Sequence, residues 1–138
     1  MTRLRCVLGV LAILVLAGAW RAEAGREAGI KAAIGGQLQA FGRGDTAHAF
    51  ALGSPTIKDT FGSADQFAAM VAKSTAQLYR PQSFKFLSLA RTDGKLIQRV
   101  RVQGADGSVV TALYEMVKVD GEWRINDFGL LMLARTAA

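Results

Sequence analysis

The sequence lacks the residues for a thiolate or histidine-cluster metal site and for a disulfide. Cys6 is its only cysteine and His48 its only histidine. One cysteine cannot form an internal disulfide, and one histidine cannot form a histidine cluster. No serine lies in a nucleophile-elbow pattern and no glycine-rich loop is spaced to cradle phosphate. No cofactor and no metal are therefore expected. A cluster of positive charge is also missing, which argues against a dedicated nucleic-acid surface. There are only two prolines, Pro55 and Pro81. The chain shows no internal repeat, low-complexity tract or linker.

What is there begins with "MTRLRCVLGVLAILVLAGAWRAEAG". Arg3 and Arg5 precede an uninterrupted apolar and glycine run over residues 7–19. That run is too short to cross a hydrocarbon layer of ~30 Å comfortably. Ala22-Glu23-Ala24 then supplies the small-x-small pattern of a signal-peptidase site. The segment reads as a signal peptide, residues 1–24, cleaved before Gly25. The competing reading is an uncleaved anchor. Cys6 lies before the apolar run rather than after it, which disfavours a lipoprotein.

Residues 25–138 would form the mature chain, 114 residues (138 less 24), enough for one domain. This chain would be periplasmic or secreted, with no stable membrane insertion after cleavage. It would carry no cysteine, so neither a disulfide nor a thiolate could assist its core. Losing Arg3, Arg5, Arg21 and Glu23 takes 17 basic and 11 acidic residues to 14 and 10, a net charge of +4.

Ile30, Ile34, Leu38 and Phe41 recur at helical spacing and predict a helix from about Glu27 to Phe41. Asp45 is placed to cap a short second helix through Phe50, and Ser54-Pro55 to open a third. "SADQ", residues 63–66, has capping-box form and leads a helix that buries Phe67, Met70, Val71 and Leu78. After Pro81 the period becomes alternating. Strands are expected at 83–91, 95–103, 109–118 and 122–131, divided at Asp93-Gly94, Asp106-Gly107 and Asp120-Gly121. The fold class is α+β, helices followed by an antiparallel meander.

Register decides which residues face the helices. A two-residue turn at Asp120-Gly121 pairs Lys118 with Trp123, Met116 with Ile125 and Tyr114 with Asp127. A three-residue loop, Ala105 to Gly107, pairs Val100 with Ala112 and Gln98 with Tyr114. One face then gathers Val100, Val102, Val110, Ala112, Met116, Trp123 and Ile125. The other carries Arg99, Arg101, Glu115, Arg124 and Asn126, with Leu113, Val117 and Phe128 between them. A two-residue turn at Asp106-Gly107 would instead send Arg99 and Arg101 inward, since a one-residue slip inverts every side chain.

The stretches "IGGQLQAFGRGDTAHAFALGSPTIKDTFGSADQFAAMV", "YRPQSF" and "YEMVKVDGEWRI" together resemble the bacterial domain of unknown function 4864 family. That family is similar to the nuclear transport factor 2-like, cystatin-like superfamily, which implies helices closing a curved four-stranded antiparallel sheet into a cone. The superfamily holds isomerase- and dehydratase-like enzymes, ligand binders and structural adaptors, so the resemblance implies no activity. Asp127 departs from the family pattern, in which glycine is common at that place. A site built on Asp127 would belong to this chain and not to the whole family.

The expected register sets Gln98, Tyr114 and Asp127 side by side across three strands. A buried carboxylate is raised in pKa, and a neighbouring phenol can stabilise an oxyanion, which suits proton abstraction beside a carbonyl. Asp127 and Tyr114 are thus the catalytic candidates. The competing reading has Gln98 and Tyr114 satisfying each other while Asp127 reaches solvent. Gln98, Tyr114, Trp123 and Tyr79 are the candidates for binding a small apolar or amphipathic ligand, with Arg80 beside Tyr79 to meet an anionic group. Tyr79-Arg80-Pro81 reads equally as a packed connector. His48 reads as structural, since an N-capping Asp45 spends its oxygen on the backbone. Arg43-Gly44-Asp45 reads as a turn between helices. The apolar residues of the outer sheet face suit a homodimer.

Three functions follow as expectations: a non-catalytic module for a ligand or protein partner, an isomerase- or lyase-like enzyme, or a structural subunit.

Overall fold

Two kinds of apolar periodicity divide the chain at Pro81, and a computed structural model follows that division. It describes residues 2–131, with side chains from residue 18 onward. Five helices come first: α1 (Thr2–Gly42), α2 (Thr46–Ala51), α3 (Pro55–Phe61), α4 (Ala64–Ser74) and α5 (Ala76–Tyr79). Four strands follow: β1 (Pro81–Thr92), β2 (Lys95–Gly104), β3 (Val109–Val119) and β4 (Glu122–Leu130). They form one antiparallel sheet in the order β1-β2-β3-β4. The architecture is α+β, as the sequence predicts.

The helix starts are as expected. Asp45 accepts from the His48 N–H, Ser54 from Ile57 and Ser63 from Gln66, each satisfying a free donor of a first helical turn. α1 differs. It begins at Thr2, well before the expected start at Glu27, and runs through the Ala24–Gly25 junction. No proline occurs before Pro55 to stop it. Most of the apolar run at 7–19 lies outside the residues whose side chains are described. Among the described residues, no helix is long and apolar enough to cross a membrane. Leu78 is buried, but on α5, because Thr75 ends α4.

The β2–β3 pairing runs unbroken from Leu96–Met116 to Gln103–Val109 and sets Val100 opposite Ala112 and Gln98 opposite Tyr114. The three-residue loop Ala105–Gly107 joins these strands, closed by the Gly104 N–H on the Ser108 carbonyl at 2.8 Å, with Gly107 at φ 85°. At Asp120-Gly121 the φ values of 50° and 81° make the turn whose twist matches a hairpin. Lys118 pairs with Trp123 and Met116 with Ile125.

Beyond that point the β3–β4 register departs from expectation. A bulge at Asn126 leaves Glu115 opposite Asp127 and Tyr114 opposite Phe128. Phe128 therefore turns toward the helices instead of the outer face, and Asp127 turns outward. The expected Tyr114–Asp127 pair does not form. β1–β2 is interrupted twice, between Pro81 and Ser83 and between Phe86 and Leu89.

The helices pack on one face of the sheet. Ile30, Ile34, Leu38 and Phe41 of α1 are fully buried there with Phe67, Val71 and Leu78. All seven phenylalanines lie in this core or pack against it. Phe67 is its hub, with ring centroids 5.3 to 5.9 Å from Phe61, Phe50, Phe41 and Phe128. Contacts of this kind stabilise by about 0.5–1.5 kcal/mol each beyond the buried area. The free side of β4 is covered by the segment between α2 and α3. The Ile125 N–H donates to the Leu52 carbonyl at 3.0 Å and the Ser54 N–H to the Ile125 carbonyl at 2.8 Å.

Candidate functional site

The candidate residues divide between the core and three surface sites. Tyr114 is fully buried and its ring stacks on Phe128, centroids 6.0 Å apart. Loss of water alone pushes its phenol above the ordinary value near 10.0. Gln98 lies beside it, 2 % exposed, but its amide works elsewhere. Its Nε2 donates to the carbonyls of Leu87 (3.1 Å), Ser88 (3.2 Å) and Arg99 (2.8 Å). Leu87 and Ser88 are the bulged residues of β1, whose carbonyls have lost strand partners. Gln98 plugs that bulge.

Asp127 is exposed on the opposite face. Its Oδ1 accepts from the Phe128 N–H at 2.8 Å, and the residue borders a shallow groove of about 230 Å³ with Lys95, Ile97 and Leu113. The bulge residue before it is the better connected. Asn126 accepts from the Ser54 hydroxyl at 2.8 Å and donates to Glu115 Oε2 at 2.8 Å. Glu115 in turn has Lys95 Nζ at 3.6 Å. A polar line thus runs from the cap of α3 across β4 and β3 to β2.

Tyr79 and Arg80 form a pinned connector. The Arg80 guanidinium lies 4.2 Å from the Tyr79 ring centroid, and its Nη1 donates to the carbonyls of Phe41 (2.8 Å) and Tyr79 (3.2 Å). The bond to Phe41 ties Arg80 to the end of α1, while its Nη2 donates to the Tyr79 hydroxyl at 3.5 Å. A cleft of about 250 Å³ opens beside them, lined also by Gln77, Gly104 and Asp106. His48 is exposed, and its N–H meets the capping Asp45 at 3.2 Å. Among the described residues, no group of three His, Cys, Asp or Glu is placed to hold a metal.

Trp123 marks a wider cleft. About 740 Å³ opens between α1 and the β3–β4 turn, bordered by Gly25, Arg26, Gly29, Lys118, Trp123 and Arg124. The pyrrole edge of the indole packs against the helix, since a Cβ at Gly29 would meet its Cδ1 at 2.5 Å. Lys118 Nζ stands 5.7 Å from the Trp123 ring centroid. Arg26 and Arg124 contact Glu23 and Glu122. Of these residues, sequence reasoning singled out Trp123 alone as a binding candidate. Lys118 could have been found from its place opposite Trp123 across the Asp120-Gly121 turn, and Arg124 from its place next to Trp123. Arg26 and Gly29 could not, because only the tertiary fold brings α1 over the hairpin.

Neither Tyr114 nor Gln98 lines any of the main clefts. The arrangement offers a charged cleft with an aromatic wall and a mixed outer sheet face. It does not assemble an acid–base pair around Tyr114.

Comparison with curated proteins and with solved structures gave no match. The family comparison did, and its match begins at residue 23, within α1, and takes in the rest of that helix, the four other helices and the four strands. The chain belongs to the family defined by the domain of unknown function DUF4864, over residues 23–138.

Proposed function

We propose that the protein acts outside the cytoplasm as a non-catalytic binding module that meets its partners through its surface. The filled space between helices and sheet carries this reading. Phe41, Phe67, Tyr114 and Ile125 occupy the place where a proton-abstracting pair would have to receive a substrate. Asp127, the carboxylate such chemistry would need, is on the other face. Export rests on the charged start, the apolar run and Ala22-Glu23-Ala24. Helices followed by four antiparallel strands support placement in the nuclear transport factor 2-like superfamily, in which fold leaves function open. Recovery of a soluble periplasmic protein beginning at Gly25 is the expected outcome. Intact Met1–Ala24 on a membrane-bound product would overturn export.

A second reading names one partner, another copy of the chain. Ile97, Leu113 and Val117 form a half-buried apolar row on the outer face. Exposed Arg99 and Arg101 stand on β2, while Glu115 and Asp127 stand across from each other on β3 and β4. A twofold axis through Leu113 would bring the arginines of one copy against the carboxylates of the other. Sedimentation should then show a dimer at high concentration. Leu113→Asp should dissociate it without moving the unfolding midpoint by more than about 0.5 kcal/mol in stability. A strict monomer would sink this reading.

A further inference from the structure

The cleft between α1 and the β3–β4 turn is masked by a residue that export would remove. Its helix wall is low, because Ala22, Gly25, Gly29 and Ala33 follow one another at helical spacing. Its other wall is the Trp123 indole. Three cations border it: Arg26, Lys118 and Arg124. In the full chain each is already engaged. Arg26 contacts Glu23, Arg124 contacts Glu122, and Lys118 lies near the indole face. Yet Arg26 Nε is buried and has no hydrogen-bond partner. A buried donor left bare costs about 1–3 kcal/mol, so an acceptor there is favoured.

Cleavage before Gly25 changes the balance. Glu23 leaves, and a new α-ammonium appears on Gly25 at the cleft edge. Three cations against two carboxylates become four against one. No described residue from 18 to 29 is buried, so the cut removes no core side chain among the described residues.

We propose that cleavage unmasks this cleft as a site for a small amphiphile with a phosphate or carboxylate head. The head meets Arg26, Lys118 and the Gly25 amine. The short apolar tail lies along Trp123 and Leu52, both on the cleft wall. The proposal rests on the export reading above and extends it to a ligand class.

The test uses two chains prepared in vitro, Met1–Ala138 and one starting at Gly25. Trp20 is absent from the shorter chain, so Trp123 is its only tryptophan and its emission reports on the cleft directly. Octyl phosphate and octanoate, each below its micelle concentration, should shift that emission saturably. Inorganic phosphate should bind at least about tenfold more weakly, and octyltrimethylammonium should not saturate. Arg26→Gln and Lys118→Gln should each weaken octyl phosphate by about tenfold, the loss of one charge-assisted contact. Calorimetry should show Met1–Ala138 binding at least about tenfold more weakly than the shorter chain, with Glu23→Gln recovering part of the difference. Equal binding by the two chains would overturn the unmasking. Unchanged binding in both charge variants, equal binding of the cationic amphiphile, or no binding at all would overturn the site. Terminal sequencing of the exported protein decides the cleavage point independently. A different natural terminus with normal binding by the Gly25 chain would fault the export reading and leave the cleft's chemistry standing.

Discussion

The central strand pair and the outer pairs of this sheet obey different rules. β2 and β3 alternate without interruption, and every apolar residue of one meets its expected partner on the other. β1 takes an extra residue at two places and β4 at one, and alternation resumes one step later. A polar side chain holds the bulge between Phe86 and Leu89, and another holds the one at Asn126. Gln98 reaches from β2 to the bared carbonyls of β1, and Asn126 ties β4 to Ser54 and Glu115. Two polar residues within an apolar sheet thus serve its geometry. A buried polar group in such a place is first a candidate for backbone repair, and only afterwards a candidate for chemistry.

Phe128→Asp would break the difference most severely. It would set a carboxylate against Tyr114, at the place the bulge gives to Phe128, and remove the ring that meets Tyr114 and Phe67. Losing one aromatic from the core and burying one carboxylate together should cost more than about 4 kcal/mol. Urea unfolding measures it, and a loss below about 1 kcal/mol would mean that the bulge does not turn Phe128 toward the core.

Gln98→Leu attacks the other outer pair. The new side chain fits the apolar face but leaves the Leu87 and Ser88 carbonyls without their donor. A loss of about 1–3 kcal/mol is expected, with faster amide exchange along β1 than along β3. Uniform exchange in the variant would show that the amide does not hold the bulge.

The next test concerns the unbroken pair, through pH. Burial raises the Tyr114 phenol above its ordinary value of 10.0. Below that pH both folded and unfolded chains keep the proton, and Tyr114 adds no pH dependence. Above it the unfolded chain releases the proton first. Stability should therefore fall by up to about 1.4 kcal/mol per pH unit from pH ~10 until the folded phenol also ionises. Tyr114→Phe should remove this part of the alkaline slope while changing stability at pH 7 by less than about 1.5 kcal/mol. An unchanged slope would place the hydroxyl in water.

Asp127→Asn should do least. An exposed carboxylate on the outer face can be neutralised within about 0.5 kcal/mol. A stabilisation above about 2 kcal/mol would indicate a buried charge and restore Asp127 as a site candidate.

These residues also show what was legible beforehand. The helix caps, the three hairpin turns and the β2–β3 register follow from local chemistry, and the sequence predicts them. The bulges were visible too, in spacing: Trp123, Ile125, Phe128 and Leu130 are separated by two, three and two positions, and Phe84, Phe86 and Leu89 by two and three. Extending a strict period of two past Ile125 is what set Asp127 against Tyr114. The Trp123 cleft was beyond local reading, because Gly29 and Trp123 are distant in sequence and meet only when α1 crosses the hairpin.

The segment at Leu52–Ser54 has a consequence for growth of the sheet. By occupying the Ile125 N–H and carbonyl, it removes a template on which another chain could add a strand at β4. The opposite border, β1, is bent by its bulge and carries exposed Lys85 and Arg91. Both borders are thus blunted, one by cover and one by curvature and charge, so fibre-like propagation in the plane of the sheet is suppressed. Association is left to the faces. A twofold face-to-face contact uses the same patch on both copies, and it ends at two.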